Sequence, residues 1–134
     1  MVPLDFTAKN HTAIQVAMEL AQRDRAEVTL VHVVESIEHA EGDEFATFYA
    51  LLQSKAKRLM KDFVRPLSQA GIAVTENLAI GKPAQEILKQ VEANHVDLLV
   101  LSSHKVDRSE SPRNWGTMSY QLSVLCPCEA LLVK

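Results

Sequence analysis

The chain has 134 residues, 47% of them hydrophobic and 23% charged, with a net charge of -3 and a pI near 5.9. That size and balance fit one globular domain over residues 1–134, with enough apolar residues for a sizeable core, and exclude global disorder. The acidic balance argues against a basic nucleic-acid surface, and no apolar stretch approaches the roughly 20 residues of a membrane span.

Met1-Val2-Pro3-Leu4 is a short apolar strand ending at Asp5; Pro3 lacks an N–H, so a full central strand is uncomfortable there. Phe6 to Asn10 reads as a loop, with Thr7 or Asn10 as the expected N-cap of a first helix from His11 to Arg23. Glu27 to Val34 is rich in β-branched residues and reads as a second strand, followed by a polar loop from Glu35 to Gly42. Phe45, Phe48, Tyr49, Leu52, Ala56, Leu59, Met60, Phe63 and Leu67 keep a three-or-four spacing, which makes the longest helix. Its aromatic stripe reads as core packing, and Pro66 is expected to end or kink it near Arg65.

Gly71 suits the left-handed position after that helix. Ala73 to Ile80 reads as a third strand. Gly81-Lys82-Pro83 opens a third helix, with Ala84, Ile87, Leu88 and Val91 on its buried face. Val96 to Leu101 contains an unbroken apolar run, as in a strand covered on both faces. A polar loop follows, then a fourth helix from about Thr117 to Leu125, ended by Cys126-Pro127, and a last strand from Glu129 to Val133. The alternation of strand and helix implies parallel strands with right-handed crossovers and helices on both faces.

In open α/β sheets, ligands sit beyond the carboxyl ends of the strands. That draws attention to Ser102-Ser103-His104-Lys105 and to the helix start near Gly116-Thr117. N–H groups and hydroxyls of Thr117 and Ser119 could meet an anion there. Lys105, Arg108 and Arg113 could neutralise a phosphate, against the negative Asp107 and Glu110. The bland alternative is a solvated polar loop. Asp5 is the second candidate, placed to accept from a ligand or merely to cap its own loop. His104 is the most tempting base, but no Ser-His-Asp, Cys-His or metal-ligand spacing accompanies it. Trp115 reads as a plug over the loop. The only cysteines, Cys126 and Cys128, are too close for an ordinary structural bridge and, without a nearby Cys or His, poor metal ligands. Their sparsity, with no basic and apolar leader, makes the cytoplasm the expected compartment.

Over its whole length the chain resembles the universal stress protein family. The resemblance is carried by Val2-Pro3-Leu4-Asp5-Phe6-Thr7, by Leu30-Val31-His32-Val33, and by Gly81-Lys82-Pro83-Ala84-Gln85-Glu86-Ile87-Leu88. Val96 to His104, Gly116-Thr117 and Cys126-Pro127-Cys128-Glu129-Ala130-Leu131-Leu132-Val133 complete it. It implies a doubly wound five-stranded parallel sheet of order 3-2-1-4-5, adenine nucleotide α-hydrolase-like, with strands one and four adjacent at the switch point. It implies a non-catalytic regulatory protein, homodimeric through Glu129, Ala130, Leu131, Leu132 and Val133. Its cofactor would be ATP or AMP, with Mg accompanying ATP, and Asp5, Val33, Ser102, Lys105, Gly116 and Thr117 would line the site. Val33 would offer backbone groups to adenine.

The glycine-rich signature of many members runs Gly, two residues, Gly, nine residues, then Gly with Ser or Thr. Here Ser102 and Lys105 stand at the first two glycines, and ten residues separate Lys105 from Gly116. Only Gly116-Thr117 survives intact, and glycines in such loops let backbone N–H groups approach phosphates. Two other classes therefore stay open: a weak ATP hydrolase or nucleotide-dependent transferase, and a partner-binding module that has lost its nucleotide.

Overall fold

A computed structural model describes residues 1–37, 42–104 and 117–134. In chain order the elements are β1 (Val2–Pro3), α1 (Lys9–Asp24), β2 (Val28–Glu35), α2 (Asp43–Gln69), β3 (Val74–Gly81), α3 (Pro83–Ala93), β4 (Leu98–Ser102), α4 (Met118–Leu125) and β5 (Glu129–Val133). All strand pairs are parallel: β1 with β2 in the register Val2 to Leu30, β2 with β3, and β4 with β5 in the register Leu98 to Glu129. This is the expected α/β fold, with one difference in how the sheet is joined.

The sheet runs as two ladders, β3-β2-β1 and β4-β5. They meet at one residue: the Met1 nitrogen donates to the Leu98 carbonyl at 2.7 Å, and Val100 N–H donates to the Met1 carbonyl at 2.9 Å. That pair of bonds has the parallel pattern, so β1 and β4 are neighbours and the order 3-2-1-4-5 holds. The next donor in the pattern would be the nitrogen of Pro3, which has no hydrogen, so that bond of the seam is missing. On the other side of β1 the ladder continues, with Leu4 N–H donating to the Val31 carbonyl at 2.8 Å.

Helices cover both faces. One core joins Val2, Leu30 and Val100 to Ala13, Ile14 and Ala17 of α1 and Met60, Phe63 and Leu67 of α2. The other joins Val31, Leu99 and Leu101 to Ile87 and Val91 of α3 and Leu122 of α4. Leu98 to Leu101 alternates between these two cores, which is why its sequence shows no polar alternation.

Three local expectations are corrected. Helix α1 begins at Lys9, with Ala8 in the cap position and no side-chain cap, so neither Thr7 nor Asn10 caps it. Helix α2 runs through Pro66 to Gln69. Only the bond from position 66 is lost, and the next residue, Leu67, is fully buried in the core. The end is then closed by Ile72 N–H to the Leu67 carbonyl and Gly71 N–H to the Ser68 carbonyl, both 3.0 Å. This is a Schellman closure, with Gly71 at φ +77° as expected. The first strand is only two residues long, because Phe6 at φ +62° turns the chain towards α1.

Candidate functional site

Beyond Pro3 the carboxyl ends of β1 and β4 frame a crevice of about 400 Å³. Its described lining includes Asp5, Val33, Ser102 and Thr117, four of the six residues expected there, together with His32, Ser103, His104 and Ser119. Lys105 and Gly116, with Arg108, Arg113 and Trp115, lie outside the described residues.

Each flank is built differently. On the β1–β2 side, Asp5 Oδ1 accepts from Thr7 N–H at 2.9 Å and from the Thr7 hydroxyl at 2.7 Å. Asp5 thus caps its own loop, as the bland reading expected, yet it stays exposed, and its Oδ2 has no hydrogen-bond partner among the described residues. A non-glycine residue at positive φ is costly unless its surroundings hold it. Here the Phe6 ring lies 4.4 Å from the His32 ring and 6.0 Å from Phe63. His32 Nδ1 is 2.7 Å from the Leu4 carbonyl. A carbonyl only accepts, so Nδ1 carries the hydrogen and donates it. Val33 is buried in the core with Val31, Leu99 and Leu101 and also lines the crevice.

On the β4–α4 side the contacts are hydroxyls. Thr117 caps α4 by accepting from Tyr120 N–H at 3.3 Å. Its own hydroxyl is 3.0 Å from Ser119 Oγ, and Ser119 donates to Ser103 Oγ at 3.5 Å. The two hydroxyls expected to face an anion are therefore partnered with each other.

Sequence reasoning missed Asn10. Its side chain is 1% exposed, and its amide spans the two flanks. Oδ1 accepts from Asp5 N–H at 3.0 Å, and Nδ2 donates to Ser102 Oγ at 2.9 Å. The amide of Asn10 joins the ends of β1 and β4 just past the missing donor of Pro3. Ser102 also has a clear role: its hydroxyl, standing where the family signature has a glycine, is the acceptor of this bridge. A polar residue in the first turn, on the otherwise apolar helix face of Ala13, Ile14 and Ala17, was the available signal.

The third wall is α3. Gly81 sits at φ +158°, and a Cβ there would come within 2.6 Å of Glu86 Cγ, so this tight turn into α3 requires glycine. Pro83 follows at the first helical position and lines the crevice with Ile87.

Among the described residues no group of three His, Cys, Asp or Glu side chains could hold a metal ion, and no helix is long and apolar enough to cross a membrane.

The profile of the universal stress protein family matches residues 1–134. Universal stress protein MJ0577 of Methanocaldococcus jannaschii is 24% identical over 121 residues, covering 78% of this chain and 75% of its own. Its solved structure superposes with a TM-score of 0.83, covering 99% of this chain and 93% of that one. YxiE of Bacillus subtilis is 22% identical over 144 residues, covering 100% of this chain and 97% of its own. A universal stress protein in complex with cAMP is 14% identical, with a TM-score of 0.78 and coverage of 99% and 94%. The universal stress protein of Archaeoglobus fulgidus in complex with dAMP is likewise 14% identical, with a TM-score of 0.73 and the same coverage.

Proposed function

The chain belongs to the universal stress protein family, and on that premise we propose that it is a non-catalytic regulatory protein that binds an adenine nucleotide in the crevice between β1 and β4. The observation that carries this reading is the crevice itself. Two exposed carboxylates, Asp5 and Glu35, residues of β2 and a set of hydroxyls face a common space at the switch point of the sheet. Relatives of the same fold are solved with cAMP and dAMP, which supports an adenine nucleotide as the ligand class. In this reading the unshared Asp5 Oδ2 accepts from adenine or ribose, Val33 offers its peptide groups to the base, and Ser102 and Thr117 lie towards the phosphates. Lys105 and Gly116 are proposed to complete that side, and ATP would arrive with Mg.

Calorimetric titration of AMP and ATP into the wild type and Asp5→Ala tests the site. The variant should bind the better ligand about tenfold to a hundredfold more weakly, the worth of a hydrogen bond to a charged group. Equal binding by both proteins would move the site elsewhere. No heat from any adenine nucleotide would leave a partner-binding module.

The second element of the proposal is a homodimer through β5. This strand pairs with β4 alone among the described residues, and none of its five residues is fully buried. A parallel-sheet edge carrying Ala130, Leu131, Leu132 and Val133 is open to pairing, and a copy related by a two-fold axis would satisfy it. Sedimentation should show Leu132→Asp at half the wild-type mass. A folded variant of unchanged mass would exclude this edge as the interface.

A further inference from the structure

At the opposite end of the sheet from the crevice, Cys126 and Cys128 form a close pair that the nucleotide reading does not use. Cys126 is the C-cap of α4, held by its N–H to the Leu122 carbonyl at 2.8 Å. Cys128 immediately precedes β5, and Glu129 stands beside Leu98 at the amino end of β4. Four residues of strand, about 13 Å, separate that end from Ser102. Both thiols are half-buried against the core of Val31, Leu99 and Leu122. Across Pro127 their sulfur atoms lie 3.2 Å apart.

This distance discriminates between two uses of a dithiol. Two thiolates on a tetrahedral zinc ion, with bonds of about 2.3 Å, stand about 3.7 Å apart. A third ligand is also wanting, since no metal-binding group exists among the described residues. The sulfur atoms are closer than a shared metal would put them, and need only a short approach to bond directly.

We propose that Cys126 and Cys128 are a redox pair that closes into a reversible disulfide across Pro127 when the protein meets a hydroperoxide. The Cys126 thiolate attacks a peroxide oxygen, the O–O bond breaks, and hydroxide or alkoxide leaves, giving a sulfenic acid on Cys126. The Cys128 sulfur then attacks the Cys126 sulfur. The S–O bond breaks, the S–S bond forms, and the thiol proton and the departing hydroxide become water. The protein loses two protons and two electrons; the peroxide is reduced to two waters, or to water and an alcohol. Two equivalents of a small thiol reverse the reaction by exchange, becoming a disulfide themselves.

The order of the two sulfurs follows from their environment. Burial and the hydrogen bond with Cys126 push the Cys128 thiol up to about 11. Cys128 therefore keeps its proton beside Cys126, and the attacking role falls to the Cys126 sulfur. A bridge spanning one intervening residue is a strained one, and strained, accessible bridges are the readily reduced class.

The test is mass spectrometry of the whole chain after treatment with one equivalent of hydrogen peroxide at neutral pH, followed by quenching with N-ethylmaleimide. The expected product is a monomer lighter by two hydrogens that takes no maleimide, and that takes two after dithiothreitol. In Cys128→Ser, dimedone should trap a sulfenic acid at Cys126. Cys126→Ser should be oxidised about tenfold more slowly, in line with its raised thiol. Both cysteines are half-exposed, so serine at either leaves the fold intact, which circular dichroism checks. Stepwise gain of oxygen without loss of two hydrogens, a disulfide formed only between chains, or no reaction under conditions that oxidise a free thiol would each overturn the proposal.

Discussion

Where β1 meets β2, backbone pairs with backbone from Val2 to Leu4 and an aromatic pair, Phe6 on His32, locks the turn that follows. Where β1 meets β4, Met1 makes two backbone bonds and the donor position at Pro3 carries no hydrogen. Past it the side chain of Asn10 joins Asp5 to Ser102. The first seam closes the sheet; the second leaves it parted, and the parted seam is where the crevice lies. At this seam proline removes one ladder bond and asparagine joins the strands past it.

The largest effect on that comparison should come from removing the bridge. Asn10→Ala leaves the half-buried Asp5 N–H without an acceptor and Ser102 Oγ without its donor. We expect a loss of about 2 kcal/mol in urea unfolding, the usual cost of orphaning a buried polar group. Thr7→Ala, on the exposed side of the same loop, should stay within about 0.5 kcal/mol, as surface changes do. If the two variants are equally stable, the bridge is not what holds the β1–β4 seam.

The difference between the seams also explains what could be read from the chain in advance. Alternating apolar strands and helical periods are local signals, so the order of elements and the buried run Leu98 to Leu101 were legible. So was Thr117 at the start of α4, since a cap acts within one turn. Asn10 was not, because its partner Ser102 lies 92 residues away and its local appearance is that of a helix cap. Pro66 misled for the opposite reason. The local rule predicts an end or a kink near Arg65; the helix does not end there, since burial of Leu67 and the closure at Gly71 outweigh one missing hydrogen bond. Asp5 and Val33 were reached through the family resemblance rather than by periodicity, because a carboxylate after a short strand has many bland uses.

The smallest effect, and the sharpest test of why the sheet is parted, is Pro3→Ala. The parallel pattern set by Met1 with Leu98 and Val100 would be continued by a donor at position 3 facing the Val100 carbonyl. The variant supplies that donor. The new hydrogen bond stabilises by about 1 kcal/mol, and the freer unfolded chain offsets this by about 0.4–1 kcal/mol. Unfolding should therefore move by less than about 1 kcal/mol in either direction. The informative readout is hydrogen exchange: the new amide at position 3 should be protected as strongly as that of Val100. Protection means that β1 and β4 have zipped one step further, narrowing the crevice, and AMP should then bind more weakly than to the wild type. An amide at position 3 that exchanges at the free-peptide rate would mean that the strands part for some reason other than the proline.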